Sequence, residues 1–244
     1  MQKTLCPMGV LVALLAAGCS QSPEAAVHQL RRLGAEVVVD KTRSELPVIK
    51  VDFRNTKVQD DDLQYVSGMN NLQLLYLRHT DISDRGLTHI DGLPRLHTLN
   101  LAGTRVEGNG LSHVATLAEL RLLNLTGTPL APGALTHVKG LKKLKTLALA
   151  ATEVSDEDLP HLAELTQLQV LSLGNTKVTD RGLAHLSHLR LQGLYLLGTE
   201  VSDAGLRHLE EMNSLSTLQL TNTKVTPEGA REFKRKLPSV NISL

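Results

Sequence analysis

The sequence predicts an α/β solenoid, built from one short strand-plus-helix unit repeated eight times and stacked on itself. Three observations carry that prediction. A threonine recurs at Thr56, Thr80, Thr104, Thr128, Thr152, Thr176, Thr199 and Thr223, at a spacing of 24 broken once by 23. Ahead of it lie apolar residues two apart, as in Leu171 and Leu173, which share one face of a strand. After it come apolar residues three apart, as in Leu183 and Leu186, which suit one face of a short helix. A single unit cannot enclose these side chains, whereas neighbours above and below can, so the units must stack.

In chain order, residues 1–18 belong to another class. Lys3 is their only charge, and the apolar stretch 8–18 is too short to span a bilayer, so the segment reads as an export signal. Residues 19–23 form a short tether. Residues 24–33 suit a helix ending at Gly34, and the run Val37 to Val39 favours a strand; together 24–46 are expected to cap the first unit. Units fill 47–244 without a linker, as eight repeats plus a terminal ninth strand in which Val240, Ile242 and Leu244 alternate. No C-terminal cap is visible in the pattern.

Within a unit the threonine marks where the chain leaves the strand, and the column reads as a ladder of buried hydroxyls. Val178 and its counterparts, among them Val58, Ile82 and Val201, point into the core. Helix starts follow. Ser83, Ser155, Thr179, Ser202 and Thr226 stand at the N-cap, with Asp84, Asp156, Asp180 and Asp203 next, near the positive helix end. Pro227 replaces the aspartate in the last unit and fits a first helical position. The third unit, with Glu107-Gly108-Asn109-Gly110, has the weakest cap.

The short form L-x-x-L-x-L-x-x-T-x-V-[ST]-D-x-G-L-x-H-L resembles the leucine-rich repeat, and within it the subclass in which TD-x-GL-x-x-L follows the strand. The resemblance implies a right-handed horseshoe, with a parallel sheet on the concave face and short helices on the convex face. Repeats of this subclass occur in F-box substrate receptors, which implies protein recognition, although no F-box precedes the repeats here. Leu15 to Cys19 resembles the bacterial lipobox, with Ala16 where an aliphatic residue is usual. That likeness implies a lipoprotein acylated at Cys19 and held at the cell envelope, on the periplasmic face or outer membrane.

Composition and motifs narrow the chemistry. Lysine plus arginine number 26 and aspartate plus glutamate 25; loss of residues 1–18 removes one lysine and leaves a net charge of zero. Such a balance argues against nucleic-acid binding. Cys6 and Cys19 are the only cysteines, so a chain trimmed at Cys19 could form no internal disulfide. His89, His113, His137, His161, His185 and His208 share one repeat position. A metal column is the sharper reading, but packed helices lie about 8–10 Å apart, and zinc needs each imidazole nitrogen at about 2.0–2.1 Å. A polar position flanking the inward leucine is the expectation. No nucleophile, phosphate-loop or zinc-protease motif appears, so neither an enzyme nor a cofactor is expected. The clusters Lys139, Lys142, Lys143, Lys145 and Arg231, Lys234, Arg235, Lys236 read as solvated faces, or else as contacts to anionic headgroups.

Specificity on a regular scaffold belongs where regularity breaks. Residues between the strand leucines point outward, and the N-terminal end gathers Asp52, Arg54, Tyr76, Arg78 and His79, of which tyrosine and arginine are frequent interface anchors. The expected function is a membrane-anchored, non-catalytic scaffold that binds a protein partner through this exposed patch. The alternative is a structural envelope protein that associates weakly with itself through its exposed terminal strand.

Overall fold

The computed structural model describes residues 22–244. The export signal and Cys19 lie outside the described residues. A ten-residue helix α1 (Pro23–Arg32) starts on the Ser22 hydroxyl, which accepts from the Ala25 N–H. Gly34 then turns the chain at φ +90° into strand β1 (Glu36–Val39).

Nine strands follow, one per unit and one beyond: β2 (Val48–Asp52), β3 (Leu74–Tyr76), β4 (Thr98–Asn100), β5 (Leu122–Asn124), β6 (Thr146–Ala148), β7 (Val170–Ser172), β8 (Gly193–Tyr195), β9 (Thr217–Gln219) and β10 (Asn241–Ser243). They form one open sheet in sequence order. Pairing is parallel and in register from β2 to β10, as in Leu75↔Leu99↔Leu123↔Leu147. Only β1 runs antiparallel, against β2. At about 4.8 Å per strand the sheet is roughly 43 Å long.

Opposite the sheet, four units carry short 3-10 helices, Asp60–Tyr65, Gly86–Ile90, Ala134–His137 and Asp156–Leu162. The other units carry the short α-helices α2 (Leu111–Val114), α3 (Asp180–Leu183) and α4 (Asp203–Leu206), and the ten-residue α5 (Pro227–Lys236). Between the layers the leucine columns form a single apolar core, with Leu75, Leu99, Leu123, Leu147, Leu171 and Leu194 fully buried. Removing one such side chain costs about 2–5 kcal/mol.

At its C-terminal end the core is closed by α5, contrary to the expectation of an uncapped end. Phe233 and Leu237 are buried, and Lys234 reaches the Val240 carbonyl. The helix is amphipathic: Ala230 and Phe233 face the core, and Arg231, Lys234, Arg235 and Lys236 face outward.

The threonine column is buried in its six inner members and half-buried at Thr56 and Thr223. It is not a ladder from threonine to threonine. Each hydroxyl donates to a carbonyl of its own unit, three residues back, as in Thr128 to Leu125 (2.6 Å) and Thr176 to Leu173 (2.6 Å). The residue before each threonine is left-handed: Asn55, His79, Gly103, Gly127, Ala151, Asn175, Gly198 and Asn222. That turn swings the chain off the sheet and brings the hydroxyl under the last strand carbonyl.

The aspartates do more than face their own helix ends. Each reaches along the stack to the cap residue of the next unit. Asp156 accepts from the Thr179 N–H (2.7 Å) and hydroxyl (2.6 Å), and Asp180 accepts likewise from Ser202. Asp60 holds Ser83, and Asp203 holds Thr226. In the third unit, where no serine or threonine stands, Asp84 collects three backbone N–H groups from Glu107, Gly108 and Asn109. That turn is therefore well tied. The glycine of the motif follows from the same contact: at Gly86, Gly110, Gly182, Gly205 and Gly229 a Cβ would overlap the preceding unit's aspartate. The fourth and fifth units are joined the other way round, Asp158 reaching back to the Gly133 N–H (3.1 Å) while closing a capping box on Ser155.

Candidate functional site

The sheet's outer face is built from the residues that alternate with the buried leucines. Its central column runs Asp52, Tyr76, Asn100, Asn124, Ala148, Ser172, Tyr195 and Gln219. From β4 to β9 neither this column nor its two flanking columns carries a charge. Asn100 and Asn124 are committed to backbone, accepting from the N–H of Ala102 (3.0 Å) and Thr126 (2.9 Å). The middle of the face is small and neutral.

Charge gathers at β1 to β3. Asp52 is 6% exposed, so the expectation that it forms part of an exposed patch does not hold. Its carboxylate takes a forked pair of bonds from Arg54, Nε at 2.9 Å and Nη2 at 2.8 Å, besides the Arg54 backbone N–H at 3.1 Å. Lys50 Nζ lies 3.3 Å from Asp52 and 3.1 Å from Glu36. Burial pushes the Asp52 carboxyl up, but the Arg54 and Lys50 donors outweigh it and hold it below the usual carboxylate range. For Lys50, burial lowers its pKa, and the Glu36 and Asp52 carboxylates more than reverse that.

Tyr76 lies beside this network, paired with Asp52 across the ladder. The Arg54 guanidinium carbon is 5.5 Å and Lys50 Nζ 5.7 Å from the ring centroid, within cation–π range. Two cations and two carboxylates thus neutralise one another around a half-buried ring. Arg78, exposed two residues beyond Tyr76, has no ion pair among the described residues. His79 does not continue the strand: at φ +55° it sits in the left-handed turn, exposed, with its ring over Gly103. Arg54, Tyr76, Arg78 and His79 therefore border one surface, and Asp52 supports it from beneath. Lys50 and Glu36 were missed from the sequence, although Lys50-x-Asp52-x-Arg54 puts three charges on one strand face.

The histidine column divides. His89, His113, His137 and His161 are half-buried, His185 and His208 exposed, and His113 lies 3.3 Å from Asp91. Among the described residues no group of three or more histidine, cysteine, aspartate or glutamate side chains is placed to hold a metal. No helix among them is long and apolar enough to cross a membrane.

A family model described as a leucine rich repeat matches residues 68–90, the span of one unit. Internalin C2 of Listeria monocytogenes is similar over most of both chains, 82% of this one and 81% of that, at 26% identity and a TM-score of 0.63. The fold is a leucine-rich-repeat solenoid. A leucine-rich-repeat protein of Leptospira interrogans shares it at 17% identity and a TM-score of 0.53, over 82% of this chain and 62% of that one. So does a plant peptide hormone receptor in complex with RGF2, at 18% identity and 0.54, over 81% and 32%. Comparison with curated proteins finds no match. Leucine-rich-repeat solenoids are typically scaffolds for protein–protein interaction, and the neutral, open sheet face described above has the shape of one.

Proposed function

We propose that this protein is a non-catalytic recognition scaffold of the cell envelope, anchored through an acylated Cys19, whose sheet binds a protein partner at its N-terminal end. The observation that carries this reading is Arg78. Among the described residues it forms no ion pair, and it flanks a tyrosine whose setting is already fixed by Asp52, Arg54 and Lys50. A partner needs only to supply an acidic or polar group to Arg78 and surface to Tyr76, because the supporting charges are arranged beforehand.

A partner is captured by crosslinking on membranes and its affinity measured against variants. Tyr76→Ala with Arg78→Ala should weaken binding by about 2 kcal/mol or more. Tyr195→Ala, five strands away, should change it little. Equal affinity for the wild type and the double variant refutes the site, and capture of further copies of this chain alone supports self-association through β10 instead. The anchor is tested separately: labelled fatty acid should enter the wild type and not Cys19→Ser. Label retained in Cys19→Ser refutes acylation there.

A further inference from the structure

The edge of the sheet where strands begin differs from the face in charge. At β4 to β6 the strand starts carry His97, Arg121 and Lys145, stacked by the bonds Arg121 N–H to His97 carbonyl (2.9 Å) and Lys145 N–H to Arg121 carbonyl (2.8 Å). Behind them, on the helix-to-strand loops, are Lys139, Lys142 and Lys143, all exposed. Lys143 pairs with Glu119 and Lys142 with Glu164, and Arg121 and Lys139 act on the same two carboxylates, which are held below their usual range. Five cations thus share two acids, a local excess of three in described residues whose net charge is zero. Arg121, Lys139 and Lys145 form no ion pair among the described residues. Burial and the Arg121 charge hold His97 below the ordinary imidazole range, so it adds bulk there more than charge.

We propose that this rim docks on the anionic headgroups of a lipid membrane. Two features choose that occupant. The rim is a row of long, exposed cations in excess over their two acids, spread along three strands, which fits a diffuse sheet of negative charge better than a shaped ligand. The apolar stretch 8–18 ends a few residues before Ser22, where α1 is already formed, so about 14 Å of chain at most separates it from the folded part. A membrane holding that stretch or Cys19 lies within reach of the folded domain. Docking by this rim would leave the outer face near β2 and β3 open, and it stands or falls independently of partner binding there.

The test measures how the full chain partitions onto phosphatidylcholine vesicles and onto vesicles rich in phosphatidylglycerol. The apolar stretch contributes similarly to both, so the ratio reports headgroup charge. Wild type should favour the anionic vesicles, and added salt should remove the preference. Arg121→Gln with Lys139→Gln and Lys145→Gln should lower the ratio by about tenfold or more. Arg231→Gln with Arg235→Gln on α5 should leave it unchanged. The proposal fails if wild type shows no preference or the triple variant keeps it. It also fails if the α5 variant loses as much, or if a soluble acidic peptide displaces the chain from the vesicles as well as free anionic lipid does.

Discussion

At the scale of the residue, the glycine of the repeat behaves against its usual chemistry. Alanine in a helix is favoured over glycine by about 1 kcal/mol, so Gly182→Ala would ordinarily stabilise α3. Here the new Cβ would meet the Asp156 carboxylate and the Leu159 side chain, and the aspartate would lose its hold on Thr179. Gly182→Ala should therefore destabilise the protein by about 1–3 kcal/mol, read as a lowered midpoint in denaturant. An unchanged or raised midpoint would show that the carboxylate can move aside without loss. Ala151 presents the opposite case. It holds φ +54° in the turn position that asparagine or glycine fills in most other units, a conformation costing an alanine about 1 kcal/mol. Ala151→Gly should raise stability by about 0.5–1 kcal/mol, net of the unfolded chain's gain in freedom.

At the scale of the element, the two ends of the solenoid are closed by different means. At the start, α1 and the antiparallel β1 cover the first unit; at the finish, α5 turns Phe233 and Leu237 inward. Phe233→Ala should cost the last units about 3–5 kcal/mol of local stability. Hydrogen exchange should then show β9 and β10 losing protection before β3 to β5. Uniform loss of protection would mean that α5 is no separate closure. This cap illustrates what the sequence discloses. Strand phase, the threonine column and the cap serines are legible because each depends on residues within one unit. The closing role of α5 is not, because Phe233 keeps the ordinary spacing of ten residues after its threonine and Leu237 departs from its column by a single residue, too little to mark a different task. The candidate site divides the same way: alternation places Arg54, Tyr76 and Arg78 outward, but the burial of Asp52 depends on Lys50 and Arg54 folding over it, and the position of His79 depends on a left-handed turn that alternation does not describe.

At the scale of the whole molecule, units are joined by bonds between residues 22 to 25 positions apart, as in Asp60 with Ser83, Asp180 with Ser202 and Asp158 with Gly133. Their trace is nonetheless in the sequence. Glycine follows three residues after the cap in every unit whose predecessor supplies the aspartate, and Asp62, Ala134 and Asp158 take that place where none does. The preceding aspartate and the following glycine act as matched ends of a junction, and junctions of one kind are interchangeable. Excising residues 181–203 would join Asp180 to Ala204, set Gly205 behind Asp156, and bring Asp180 to Thr226 and Gly229. Every matched end survives, so the shortened chain should fold and melt as one body in circular dichroism. Excising residues 109–132 would instead set the Ala134 methyl against Asp84 and put Gly133, whose N–H Asp158 already takes, in the place of Asn109, and that chain should misfold or melt well below the first. The stack can lengthen or shorten by whole copies in its later half, whereas its middle is a unique seam that fixes where such copying must stop.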